Sequence, residues 1–91
     1  MTREELVKAV SDETGLTRAQ AAQAVSGILT AVKEALARGD EVRLVGFGTF
    51  QVKTRAAREG RDLRTGAEIE IPAKRVPVFR PGKDLVRAVK A

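Results

Sequence analysis

An α+β fold follows from three features of this 91-residue chain. Two segments of helical period fill the first forty residues, segments of strand period follow them, and a short helical stretch closes the chain. Thr2 and Glu5 stand at capping-box spacing, with the hydroxyl placed to cap a backbone N–H and the carboxylate to reach back. Leu6, Val7, Ala9 and Val10 then form an apolar stripe, and Thr14-Gly15 predicts the stop, where glycine supplies a left-handed turn. A second capping box, Thr17 with Gln20, opens a longer helix with Leu16 before it as a staple. Its apolar positions Ala21, Ala24, Val25, Ile28, Leu29, Val32, Ala35 and Leu36 keep three- and four-residue spacing until Gly39. Residues 1–39 thus read as an αα-hairpin, and its alanines allow close approach of another backbone.

The period changes after residue 40. Residues 41–45 and 49–53 alternate as half-buried strands, split by a turn or bulge at Gly46-Phe47-Gly48. Leu44, Phe50 and Val52 are expected to cover a core, while Arg43, Gln51 and Lys53 face outward. Beyond Val52 the outgoing leg holds nothing larger than alanine for a core, yet the strand pattern persists through a turn at 62–66 and back through Glu68 to Pro72. A strand pair without large apolar groups on one leg should project from the body as an arm over about residues 53–75. It would span roughly 30 Å at ~3.3 Å per residue. Pro72 suits an edge, since it lacks an N–H for a central ladder. Val76, Val78 and Phe79 read as a returning strand, and Pro81 is expected to open a last helix over 81–91 with Leu85, Val86 and Val89 on one face. One domain, 1–91, accommodates all of this: a helical part to 39, sheet and arm over 40–80, and the final helix.

Composition narrows function. Seventeen Lys and Arg against twelve Asp and Glu give a net charge of +5, with a pI near 10.2. Residues 1–40 carry five basic and six acidic side chains, and residues 41–91 carry twelve and six, so the excess sits in the second half. A basic face aimed at a polyanion is the reading this supports. With no Cys and no His, disulfides, Cys/His zinc sites, thiol nucleophiles and histidine acid–base catalysis are unavailable. The paired carboxylates Glu4/Glu5, Asp12/Glu13 and Glu68/Glu70 lie near helix ends or on the arm, without an apolar pocket to raise a pKa. Neither enzymatic activity, nor a cofactor, nor a metal is expected. No apolar run reaches the ~20 residues of a membrane span, and the charged Met1–Glu5 lacks a signal-peptide core. The expected location is the cytoplasm. Phe47, Phe50 and Phe79 are the only aromatic side chains, and their neighbours Leu44, Val45 and Val78 mark them as core rather than base-stacking groups. A chain this small, without disulfides or metals, is predicted to complete its core by oligomerising.

Lys53, Arg55, Arg58, Arg61 and Arg64 recur every two or three residues along the outgoing leg and tip, and Lys74, Arg75 and Arg80 lie on the return. Side chains two apart share a strand face, so this spacing predicts a line of cations along a ribbon. Guanidinium groups bind phosphate bidentately and fit narrow minor grooves. The bland alternative pairs these arginines with Glu59, Asp62, Glu68 and Glu70 on an ordinary solvated hairpin. Gly46-x-Gly48 carries no dinucleotide motif; it reads as a turn with a secondary close approach to DNA. Pro81-Gly82-Lys83 lacks the preceding glycine of a phosphate loop, but N–H groups at a helix start with Lys83 can hold one phosphate.

The stretches VRLVGFGTFQV, RAAREGRDLRTGAEIEIPAKRVPVF and RPGKDLVRAVK resemble the HU family of bacterial histone-like proteins, and the likeness runs the whole chain. It implies an intertwined homodimer with an α-helical base, a three-stranded antiparallel saddle and two arms that wrap double-stranded DNA through the minor groove. By this resemblance DNA contacts fall on Lys53, Arg55, Arg58, Arg61, Arg64, Thr65, Lys74, Arg75 and Arg80, with Arg3 and Lys83 as flanking positions. The dimer core falls on Phe47, Phe50 and Phe79, joined by Ile28, Leu29, Val32, Leu36 and Leu44. Implied too are DNA bending and nucleoid compaction; for such a binder nicked or pre-bent duplex should be favoured, because its bending energy is already met. One departure stands out: the family's usual Asn-Pro at the arm tip is Asp62-Leu63 here. Leu63 can also wedge between base pairs, but it is flexible, and Asp62 brings negative charge near phosphates, so weaker or less sharply placed kinks are expected. Other readings stay open: a site-specific subunit similar to integration host factor, a basic dimeric scaffold for an acidic protein, and RNA as a partner, because phosphate contacts do not distinguish the backbones.

Overall fold

Helix capping explains the first elements of the computed structural model, which describes residues 1–90 and leaves Ala91, the last residue of the expected 81–91 helix, outside the described residues. Thr2 caps α1 (Arg3–Thr14) by accepting from the Glu5 N–H, and the Thr2 hydroxyl itself meets the Glu5 carboxylate at 3.3 Å. Gly15, at φ 76°, ends the helix as expected. The box at α2 (Arg18–Ala37) is reciprocal: the Gln20 N–H donates to the Thr17 hydroxyl at 3.1 Å and the Thr17 N–H to the Gln20 side-chain oxygen at 3.0 Å. At the far end Gly39, at φ 85°, donates to the Leu36 carbonyl, and Asp40 to Ala35. This pair of bonds is the Schellman arrangement that glycine permits.

Five strands follow: β1 (Val42–Leu44), β2 (Gly48–Arg55), β3 (Arg58–Arg61), β4 (Glu68–Ile71) and β5 (Lys74–Pro81), then α3 (Lys83–Lys90). β1, β2 and β5 form an antiparallel sheet in the order β1-β2-β5, and β3 and β4 form a separate two-stranded ladder. Gly46, at φ 84°, turns the chain between β1 and β2, and the Phe47 N–H closes that turn on the Leu44 carbonyl at 2.9 Å. Pro72 lies between β4 and β5, outside both ladders, so its missing N–H breaks no strand bond. Pro81 does not open the last helix. It ends β5 opposite Gly48, and α3 starts two residues later, with the Gly82 carbonyl accepting from Val86. The reason is the sheet bond next to it: Gly82 donates to the Phe47 carbonyl at 2.8 Å and extends the pairing past the proline.

The chain divides into two compact units, Met1–Glu34 and Ala35–Ala91. In the first, Ala21 and Val25 are the buried hydrophobic residues, while Ile28 is 61% and Leu29 48% exposed. In the second, register decides what packs. Val42, Leu44, Gly48, Phe50 and Val52 share one sheet face with Pro77 and Phe79. The Phe79 ring sits 4.8 Å from Phe50 and 5.6 Å from Phe47, tilted to both. Gly48 is the floor of this cluster: a Cβ there would lie 2.5 Å from the Phe79 ring and 2.7 Å from the Arg80 carbonyl. Gly48→Ala is therefore expected to destabilise the protein by about 1–3 kcal/mol, read as a lower urea midpoint; an unchanged midpoint would mean the ring has room to move.

Candidate nucleic-acid interface

The β2–β5 register sorts the cations. Lys53 pairs with Val76 and Arg55 with Lys74, and both lie on the face of Thr49, Gln51, Val78 and Arg80. Arg43, paired with Thr49, stands on this same face. Opposite faces of the sheet thus carry opposite chemistry, phenylalanines on one side and Arg43, Lys53, Arg55, Lys74 and Arg80 on the other. Each of these five is exposed. Alternation alone points Arg43 outward without joining it to the row; only its neighbour across the sheet, Thr49, which itself pairs with Arg80, brings it there. It is held by Glu41 at 2.8 Å.

Beyond the sheet the expected single row divides. Arg58 faces Ile71 and Gly60 faces Ile69 on one side of the β3–β4 ladder, while Arg61 faces Glu68 and Glu59 faces Glu70 on the other. Arg58 and Arg61 are three residues apart, an odd spacing that places them on opposite faces. Gly60 makes room for the isoleucines, since a Cβ there would come within 2.7 Å of Ile71. Arg64, Leu63 and Thr65 occupy the tip. There the Asp62 carboxylate accepts the Arg64 N–H at 2.9 Å, the Asp62 carbonyl accepts the Gly66 N–H at 2.7 Å, and the Thr65 hydroxyl accepts the Ala67 N–H at 3.2 Å. Asp62 thereby supplies the side-chain turn that an Asx residue makes, and Leu63 is left 98% exposed. Among the described residues no ion pair joins an arm arginine to a carboxylate; the three pairs present are Arg38–Asp40, Arg43–Glu41 and Arg87–Asp84. The pairing of arm arginines with Glu59, Asp62, Glu68 or Glu70 that would lend weight to an ordinary solvated hairpin is not formed among the described residues.

Four other candidates have surroundings of their own. Arg3 binds the Ser26 hydroxyl across the helical hairpin. Arg75, opposite Thr54, lies on the phenylalanine face. Gly46 and Lys83 flank a corner where an Asp84 carboxylate oxygen stands 3.2 Å from the position a Gly46 Cβ would take. That acid, in the first turn of α3, already answers the helix N-terminal charge. No group of three His, Cys, Asp or Glu able to hold a metal occurs among the described residues, and no helix among them is long and apolar enough to cross a membrane.

Comparison with known proteins gives a consistent result. A family model described as bacterial DNA-binding protein matches residues 1–90. DNA-binding protein HU of Geobacillus stearothermophilus is 50% identical over 90 residues, covering 99% of this chain and 100% of that protein. HU of Staphylococcus aureus (strain COL) is 46% identical with the same coverage. Among solved structures, the Anabaena HU–DNA cocrystal structure superposes with a TM-score of 0.89 at 44% identity, covering 98% of this chain and 97% of that one. HU from Thermotoga maritima gives a TM-score of 0.68 at 28% identity, covering 98% of each chain.

Glu59 and Glu70 face each other directly in the arm, a like-charge pair that opposes strand pairing. Glu59→Gln is expected to stabilise the ladder by about 0.2–1 kcal/mol. The measurement is amide hydrogen exchange across residues 58–61 and 68–71, slowed by about 1.4- to 5-fold.

Proposed function

The chain belongs to the family of bacterial DNA-binding proteins, and we propose that it is an architectural protein that binds and bends double-stranded DNA with little sequence preference. The observation that supports this reading is the unneutralised cationic surface. Lys53, Arg55, Lys74 and Arg80 share a sheet face, and Arg58, Arg61 and Arg64 carry positive charge onward along the two sides and the tip of an arm, none of them in an ion pair among the described residues. Such a surface gains affinity by releasing counterions from phosphates and reads no bases in particular. On this reading the arm enters the minor groove, Leu63 lies between base pairs as an apolar wedge, and the protein works at the nucleoid.

The working unit in this proposal is a homodimer. Ile28 and Leu29 on α2, Leu44 and Phe79 on the sheet, and Phe47 in the turn before β2 are each more than a third exposed. A second copy is the partner that would cover such apolar groups in a chain without disulfides. Two arms per particle then suit a bent duplex, and nicked or pre-bent DNA should bind more tightly because its bending energy is already met.

Titration of one duplex and its nicked form at several salt concentrations tests the function. The expected log–log slope steepens by about 0.9 for each phosphate neutralised, with the nicked form bound more tightly throughout. A salt-insensitive affinity would end the phosphate-binding reading. The wedge has its own test in Leu63→Pro and Leu63→Ser. Fluorescence energy transfer across a bent duplex should rank proline above the wild type and serine below it, and three equal bend angles would discard the wedge.

A further inference from the structure

We propose that Arg75 is a positioning residue that fastens the root of the arm to the C-terminal end of α2, not a phosphate contact. This rests on the preceding reading that the opposite sheet face meets DNA. Arg75 pairs with Thr54 and so lies on the face of Phe50, Val52 and Phe79, whereas Lys74 beside it pairs with Arg55 on the cationic face. From the phenylalanine face its guanidinium donates to the Leu36 and Ala37 carbonyl oxygens, each at 3.4 Å. The same nitrogen stands 3.5 Å from where a Cβ on Gly39 would be.

The end of α2 needs this partner. The last carbonyls of a helix have no N–H of their own helix to accept from. Asp40 takes the Ala35 carbonyl and Gly39 the Leu36 carbonyl; Arg75 is the donor to Ala37. The last turn of α2 holds no basic residue, so the negative end of its dipole has no cation from its own sequence. Arg38, just beyond, is engaged with Asp40 at 3.5 Å. Arg75 brings the missing charge from the sheet, at the second residue of the strand through which the arm returns. A guanidinium that caps a helix from one face of β5 fixes the direction in which Lys74 and Arg55 present themselves on the other. Moving it to a phosphate would break both carbonyl bonds.

The test uses the full-length protein with Arg75→Gln, Arg75→Lys and the control Lys53→Gln/Lys74→Gln. Arg75→Gln is expected to lower Tm by about 2–6 °C, shift the carbonyl-carbon resonances of Leu36 and Ala37, and reduce the bend angle. It should leave the salt slope of duplex binding unchanged. Arg75→Lys, which keeps a cationic donor, should retain most of the Tm and of the bend. The control should flatten the slope by about 0.9 for each phosphate it no longer neutralises without moving those two resonances. A flattened slope in Arg75→Gln, or unmoved Leu36 and Ala37 resonances, overturns the proposal. If Arg75→Gln does not fold, the wild type decides: as duplex is added, Leu36 and Ala37 carbonyl-carbon resonances that keep their positions uphold the proposal, and resonances that shift as Arg75 leaves for a phosphate overturn it. A control that leaves the slope intact counts against the interface reading instead, and the resonances still judge Arg75.

Discussion

The eight-residue pairing of β2 with β5 is the contact from which the arrangement of this surface follows. Antiparallel pairing places directly opposite residues on the same face. Fixing Phe50 against Phe79 therefore also fixes Lys53 beside Val76 and Arg55 beside Lys74. A slip of one residue would turn the β5 cations in among the phenylalanines. Gly48 protects the register at its base, because the Phe79 ring and the Arg80 carbonyl leave no space for a side chain there. The bond from Gly82 to Phe47 holds the strand end past a proline. Packing on one face and charge on the other are thus two results of a single alignment.

The arm obeys a different balance. It has its own ladder, a small apolar contact of Gly60 with Ile71, and a tip closed by Asp62 and Thr65 through local hydrogen bonds. Against these stand Glu59 and Glu70, directly opposed. Few buried apolar contacts and a like-charge pair make a weakly held element, of the kind drawn from the low end of local stability. For the proposed DNA binder this is useful, since an arm of low intrinsic stability can adjust to a groove at modest cost. Asp62-Leu63 fits the same logic: the acid builds the turn with its own carboxylate, and the leucine stands clear at the end.

Several side chains that share a residue type divide between folding and binding. Arg3 spans the helical hairpin to Ser26, and Arg75 reaches the end of α2. Among the described residues Lys53, Arg55, Lys74 and Arg80 make no comparable bond. Arginine suits both tasks, because its fork of donors meets a pair of carbonyls as readily as a phosphate. Asp84 shows the same economy in reverse, serving the start of α3 at the corner where the sequence makes Gly46 and Lys83 candidates for a phosphate.

The chain's local patterns were enough to determine the N-terminal capping of both long helices, reciprocal only at Thr17 and Gln20, the glycine stops at 15 and 39, the alternation of the strands, the arm with its turn and the location of the positive charge. Each depends on neighbours within about one turn or one strand, where steric and hydrogen-bonding preferences act directly. The resemblance over the full length carried the family. What local pattern could not decide was which strand residue stands opposite which. Arg75 and Lys74 are adjacent in sequence and nearly identical in chemistry, yet one bonds carbonyls 38 and 39 residues away while the other joins the cationic face. Parity alternates along any strand, but its sign is set by pairing with a distant partner. The spacing of Arg58 and Arg61 shows the other limit: a run of cations at two- and three-residue intervals looks continuous when written out, and a pleated backbone sends its members to both sides.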